Sequence, residues 1–65
     1  MARKTEPKII IYLRSATQAA LAERTGEYYQ AVRFWTIAKE WAERKNVAYV
    51  ENRIEFCKRM VERPF

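Results

Sequence analysis

At 65 residues and 7.8 kDa, 49% hydrophobic and 32% charged, with one Gly and two Pro, the chain has the makeup of a single small folded domain. A domain of this size buries only about 60% of its unfolded surface and needs support from a disulfide, a metal or a second chain. One cysteine, Cys57, with no histidine and no aspartate excludes an internal disulfide and a Cys/His zinc site, which leaves a second chain.

The same inventory, with Ser15 as the single serine, cannot assemble a Ser-His-Asp triad or an aspartyl dyad, so neither enzyme activity nor a cofactor is expected. A net charge of +5 and a pI near 9.7 favour polyanions or acidic protein surfaces as partners. The apolar run Ile9 to Leu13 is far shorter than the ~20 residues of a membrane span and lacks a signal-peptide cleavage site. The expected location is the cytoplasm, with no membrane contact.

Residues 1–8 read as a basic arm or helix lead-in, and up to residue 14 Arg3, Lys4, Lys8 and Arg14 stand against Glu6 alone. A solvated terminus is the plainer reading of that charge and a phosphate-contacting arm the sharper one. From Ile9 two readings stay open. Three consecutive isoleucines suit a short strand that pairs with its copy in a dimer, whereas Ile9, Tyr12, Leu13, Ala16, Ala19 and Ala20 suit one helix face. Thr5, Glu6 and Pro7 read as a helix entry, and Ser15 to Thr25 is rich in strong helix formers. Gly26 is predicted to end that helix in a left-handed conformation.

A second helix is expected from Glu27 to about Arg44, with Tyr28, Ala31, Val32, Trp35, Ala38 and Ala42 on its core face. Phe34, Ile37 and Trp41 form a second apolar row. The other two helices can cover that row, or it can bury another protomer or a different protein. Lys45 and Asn46 break the pattern, with Asn46 as the expected cap of a third helix that runs to about Glu62. Val47, Val50, Ile54, Cys57 and Val61 follow coiled-coil spacing there, beside a stripe of Tyr49, Arg53, Phe56 and Met60.

Two helices around Gly26 have the outline of a helix-turn-helix, but the second offers Tyr28, Ala31, Val32, Phe34, Trp35 and Ile37 where base-reading side chains would be needed. In the third, Arg53, Lys58, Arg59 and Arg63 alternate with Glu51, Glu55 and Glu62 and read as a salt-bridged exposed face, so weak or no DNA binding is expected. Gly26, Tyr28, Ala31, Trp35 and Ala38 have the spacing of the second half of a tetratricopeptide repeat. That spacing points to a helical hairpin, and no second copy of it occurs. Cys57 lies on the apolar seam and reads as a small buried hydrophobe rather than a reactive thiol.

The string Ala19-Ala20-Leu21-Ala22-Glu23-Arg24-Thr25-Gly26-Glu27-Tyr28, then Ala31, Trp35 and Ala38, then Asn46, Arg53, Phe56 and Cys57, resembles the ANR family, the AraC negative regulators. The likeness covers residues 16–57. Its most specific part is the closing Asn46 to Cys57, where Tyr49 stands in the place of the family's Trp. The resemblance implies a regulator that binds AraC-type virulence activators, blocks their dimerisation or promoter engagement, and touches nucleoid-associated proteins.

These readings together give an all-α three-helix domain over residues 9–63, a helical hairpin crossed by a third helix, expected to be a homodimer. The expected partner or dimer interface is Phe34, Ile37, Trp41, Tyr49, Arg53, Phe56 and Met60, rimmed by Arg33, Arg53 and Lys58. The expected core motif is Ala20, Gly26, Tyr28, Ala31, Trp35, Ala38 and Cys57. The alternatives are a small DNA-binding regulator that uses the arm and third helix, or a phage or plasmid accessory protein.

Overall fold

The structure, a computed structural model, describes residues 7–63. It consists of α1 (Lys8–Arg24), α2 (Tyr28–Trp41) and α3 (Arg44–Glu62), with no strand among the described residues. The isoleucine run is therefore helical. Pro7 is extended at φ −60° and ψ 148°, and its carbonyl accepts the N–H groups of Ile10 at 3.0 Å and Ile11 at 3.3 Å. A proline suits this site because the N–H it lacks would have no intrahelical partner. The arm, but for Pro7 and Lys8, and the expected entry at Thr5 and Glu6 lie outside the described residues.

Gly26 ends α1 as its position in the sequence predicts. Its φ of +80° is the one positive φ among the described residues. Gly26 N–H donates to Glu23 O at 3.1 Å and Glu27 N–H to Ala22 O at 2.8 Å, a Schellman pair that satisfies two of the last carbonyls of α1. A side chain at position 26 would meet nothing within 4 Å, so the requirement for glycine comes from the backbone angle alone.

The second junction differs from the sequence reading. Helix α2 stops at Trp41, Ala42 and Glu43 are extended, and Arg44 opens α3. Asn46 is not a cap: it sits inside the first turn, where its N–H donates to Glu43 O at 2.7 Å. Ala42 and Glu43 are good helix formers. The break is set by tertiary packing, in which Ala42 meets the core and the chain reverses so that α3 lies along α2.

Helix α2 occupies the middle and packs against both neighbours. Trp35 meets Tyr49 while Tyr28 meets Phe56, so α3 runs antiparallel to α2. The core is Tyr12, Ala19 and Ala22 from α1, Ala31, Trp35 and Ala38 from α2, and Val50, Ile54 and Cys57 from α3. Alanines at four of these nine positions let the helix backbones approach closely around Trp35, the largest buried ring.

Two predicted faces are corrected. On α1 the buried residues are Tyr12, Ser15, Ala19 and Ala22, whereas Ile9, Leu13 and Ala20 are exposed. Ala20, expected in the core motif, is thus outside the core. The reason is that α1 carries apolar residues on two sides, and periodicity alone does not say which side meets α2. On α3, Val47 to Cys57 faces inward, but Val61 is 44% exposed. Helix α3 has 19 residues against 14 in α2 and extends past its partner.

Candidate functional site

The most structured group of polar side chains is built on Glu23, in the last turn of α1. Its Oε2 accepts Trp35 Nε1–H at 2.6 Å, Arg53 Nε–H at 3.3 Å and the Cys57 thiol at 3.4 Å. Its Oε1 accepts Arg53 Nη2–H in the other half of a two-pronged ion pair. One carboxylate thus ties α1 to α2 and to α3. The Arg53 guanidinium also lies 4.7 Å above the Phe56 ring. Phe56 meets Tyr28 edge-on with centroids 6.0 Å apart, and Tyr49 meets Trp35 in the same manner at 5.7 Å.

Burial acts to raise the Glu23 carboxyl, but hydrogen bonds from Arg53, Trp35 and Cys57 and the charge of Arg53 outweigh it and hold the group below its ordinary value. The hydrogen bond to Glu23 in turn raises Arg53. Burial first, then the hydrogen bond to Glu23 and its charge, push the Cys57 thiol up to about 12. Burial, with Tyr49 nearby, raises Tyr12.

A carboxylate engaged by three donor side chains is no general base, and a thiol titrating near 12 is no nucleophile at neutral pH. The cluster does structural work. Cys57 is expected to react with a disulfide reagent at pH 8 only as fast as the chain opens, with labelling accelerated many-fold in denaturing urea. Equal rates in both conditions would contradict its burial.

The positions expected as an interface fall into three groups. Arg53 turns inward to Glu23 instead of joining an exposed salt-bridged face or a basic rim, while Arg33 and Lys58 are exposed. Phe34, Trp41, Phe56 and Met60 are half-buried, and the first three pack against the chain's own core. Ile37 and Tyr49 are exposed at 43% and 53%. Of the expected core motif, Ala31, Trp35, Ala38 and Cys57 are buried, Tyr28 is half-buried, and Gly26 forms the exposed turn.

Two features escaped the sequence reading. Glu23 entered the sequence reading only as part of the string that carries the resemblance, with no role of its own, although it is the single carboxylate of α1, between Ala22 and Arg24 and near a helix that carries Trp35. The outer face of α1, with Ile9, Ile10, Leu13 and Leu21 between 40% and 51% exposed, was also missed. The extra apolar surface had been sought on α2 and α3.

Among the described residues no cluster of His, Cys, Asp and Glu is suited to hold a metal ion, and no helix is long and apolar enough to cross a membrane. Comparison with known protein families, with curated proteins and with solved structures finds no match for this chain.

Proposed function

We propose that the chain is a small transcriptional regulator of the cytoplasm that acts by protein contact, without catalysis or a cofactor, and restrains an AraC-type activator. The observation that carries this reading is the convergence of the residues on which the resemblance to the AraC negative regulators rests. Glu23, Tyr28, Trp35, Arg53, Phe56 and Cys57 lie within 35 positions of sequence and meet in one interlocked cluster, which Tyr49 joins at the position where the family has Trp. Residues that depend on one another in this way make the likeness more specific than a shared helical hairpin. On this reading the motif locks the fold, and recognition is left to residues outside it.

Direct DNA binding is the weaker reading, because Arg53, one of four cations counted for it on α3, is held by Glu23. The expectation of a homodimer rests on the small size of the domain and on the second apolar row of α2; Phe34 and Trp41 of that row pack half-buried within the chain, and the size argument for a second chain is unchanged.

The test is a reporter driven by an AraC-type activator from the same genome. Co-expression of the chain is expected to lower activator-dependent transcription several-fold, and deletion of residues 1–8 is expected to preserve the effect. Loss of repression on that deletion, together with binding of the full chain to the promoter, would favour the DNA-binding reading.

A further inference from the structure

The charges of α3 alternate along the sequence but separate around the helix. Its buried seam is Val50, Ile54 and Cys57. Glu51, Glu55 and Lys58 fall to one side of that seam, in a hollow beside Lys39 of α2 with Asn52 at its rim, and Glu51 pairs with Lys39 at 3.0 Å. Glu62 lies on the same side, with Lys58, Tyr29 and Val32. On the other side Arg53 is committed to Glu23. Opposite the seam, at steps of seven residues, stand Lys45, Asn52 and Arg59, all exposed. Arg63, also exposed, continues the line one turn on, its N–H donating to Arg59 O at 2.8 Å. Lys45, Arg59 and Arg63 form no ion pair among the described residues, although Glu55 and Glu62 are each within one turn of Arg59.

The row from Lys45 to Arg63 is therefore cationic at both ends and in between, over about 27 Å of helix. A protein partner draws its affinity from an apolar centre poor in charge, whereas a phosphodiester backbone is held by cations and amides set in a line. The net charge of +5 acts in the same direction. We infer that the outer edge of α3 binds nucleic acid through its phosphates, without reading sequence. Lys45, Arg59 and Arg63 each meet a phosphate, and Asn52 donates from its amide between them. Such contact is salt-labile, because every phosphate neutralised releases counterions. The inference goes beyond the protein-contact reading and does not depend on it.

The test is anisotropy of the full chain with a labelled duplex of about 20 base pairs, between about 50 and 200 mM salt. The three cations are expected to contribute about 2.7 to the log–log salt slope, about 0.9 for each phosphate contact. Lys45→Gln with Arg59→Gln should reduce the slope by about 1.8 and weaken binding at the low-salt end about 10-fold or more. Arg33→Gln with Lys58→Gln removes the same charge from exposed positions off the row and should leave the slope unchanged. All four side chains are exposed, so both variants should keep their helical circular dichroism. Duplexes of unrelated sequence should bind alike. No binding at low salt, an equal loss of slope in the two double variants, or sequence-specific binding would overturn the inference. So would poly-glutamate that competes as well as DNA at equal charge, since the row would then take an acidic protein. An activator is expected to stay bound to Lys45→Gln with Arg59→Gln; its release would assign the row to protein contact and overturn the inference as well. A chain that binds DNA as expected but retains no activator would support the inference and remove the regulator reading.

Discussion

Trp35→Ala is expected to abolish cooperative unfolding at 25 °C. The ring is 2% exposed at the centre of a core whose other members are mostly alanine and valine-sized, so no neighbour can fill the space it leaves. Truncation of a buried Trp costs about 3 to 5 kcal/mol. A chain of this length is worth only about 3 to 10 kcal/mol in total. The change also removes the N–H that Glu23 accepts at 2.6 Å and the ring that Tyr49 packs against. Urea titration followed by far-ultraviolet circular dichroism checks this. Ile37→Ala, at a site 43% exposed on the same helix, is expected to cost less than about 1 kcal/mol. A Trp35→Ala protein with a transition like the parent's would show that the core lies elsewhere.

The second large effect is expected at Glu23. Glu23→Ala leaves the Trp35 indole, the Cys57 thiol and the Arg53 guanidinium without their shared acceptor. The cost of removing one member of such a network is about 2 to 3 kcal/mol, toward the lower end of the range for buried pairs because the Arg53 side chain is 33% exposed and keeps some water. The pH dependence follows from the direction of the shift. Because the folded state holds the carboxyl below its ordinary value, the stabilisation is complete above the unfolded value of about 4.3 and is lost as pH falls through the folded one. Glu23→Gln should flatten that acid limb. At the other extreme, Cys57 is raised to about 12, so its contribution is complete below about 8.5 and declines as pH climbs toward 12. An acid limb unchanged in Glu23→Gln would place the responsible carboxylate elsewhere. A coupling energy near zero in a Glu23 and Arg53 double-mutant cycle would show that the pair is not joined in solution.

The parts of this fold that could be read from sequence are those where one local signal has one meaning. Gly26 is the single glycine, between two helical patterns, and it adopts the left-handed angle that such a position calls for. The face Tyr28, Ala31, Trp35 and Ala38 was legible because α2 meets both neighbours along one side. The break at Ala42 and Glu43 was not, because both residues favour the helix they interrupt and the reversal is imposed by packing. The orientation of α1 was illegible for a related reason. It has two apolar sides, and its buried side contains Ser15 while its exposed side contains Leu13. Glu23 shows the limit of single-residue reading, since its importance lies in partners 12, 30 and 34 positions away.

These observations divide the described residues into a locked interior around Trp35 and Glu23 and an outer face of α1 that is exposed among them. The most direct measurement is retention of an AraC-type activator on the tagged chain across a salt series, with promoter DNA assayed in parallel. Near 1 M salt exposed charges are screened within about 3 Å, so apolar contact persists while phosphate contact fails. The account predicts that the activator stays bound at high salt and that the chain alone binds promoter DNA weakly or not at all. Sequence-specific promoter binding by the chain alone that survives the same salt, with no activator retained, would contradict it.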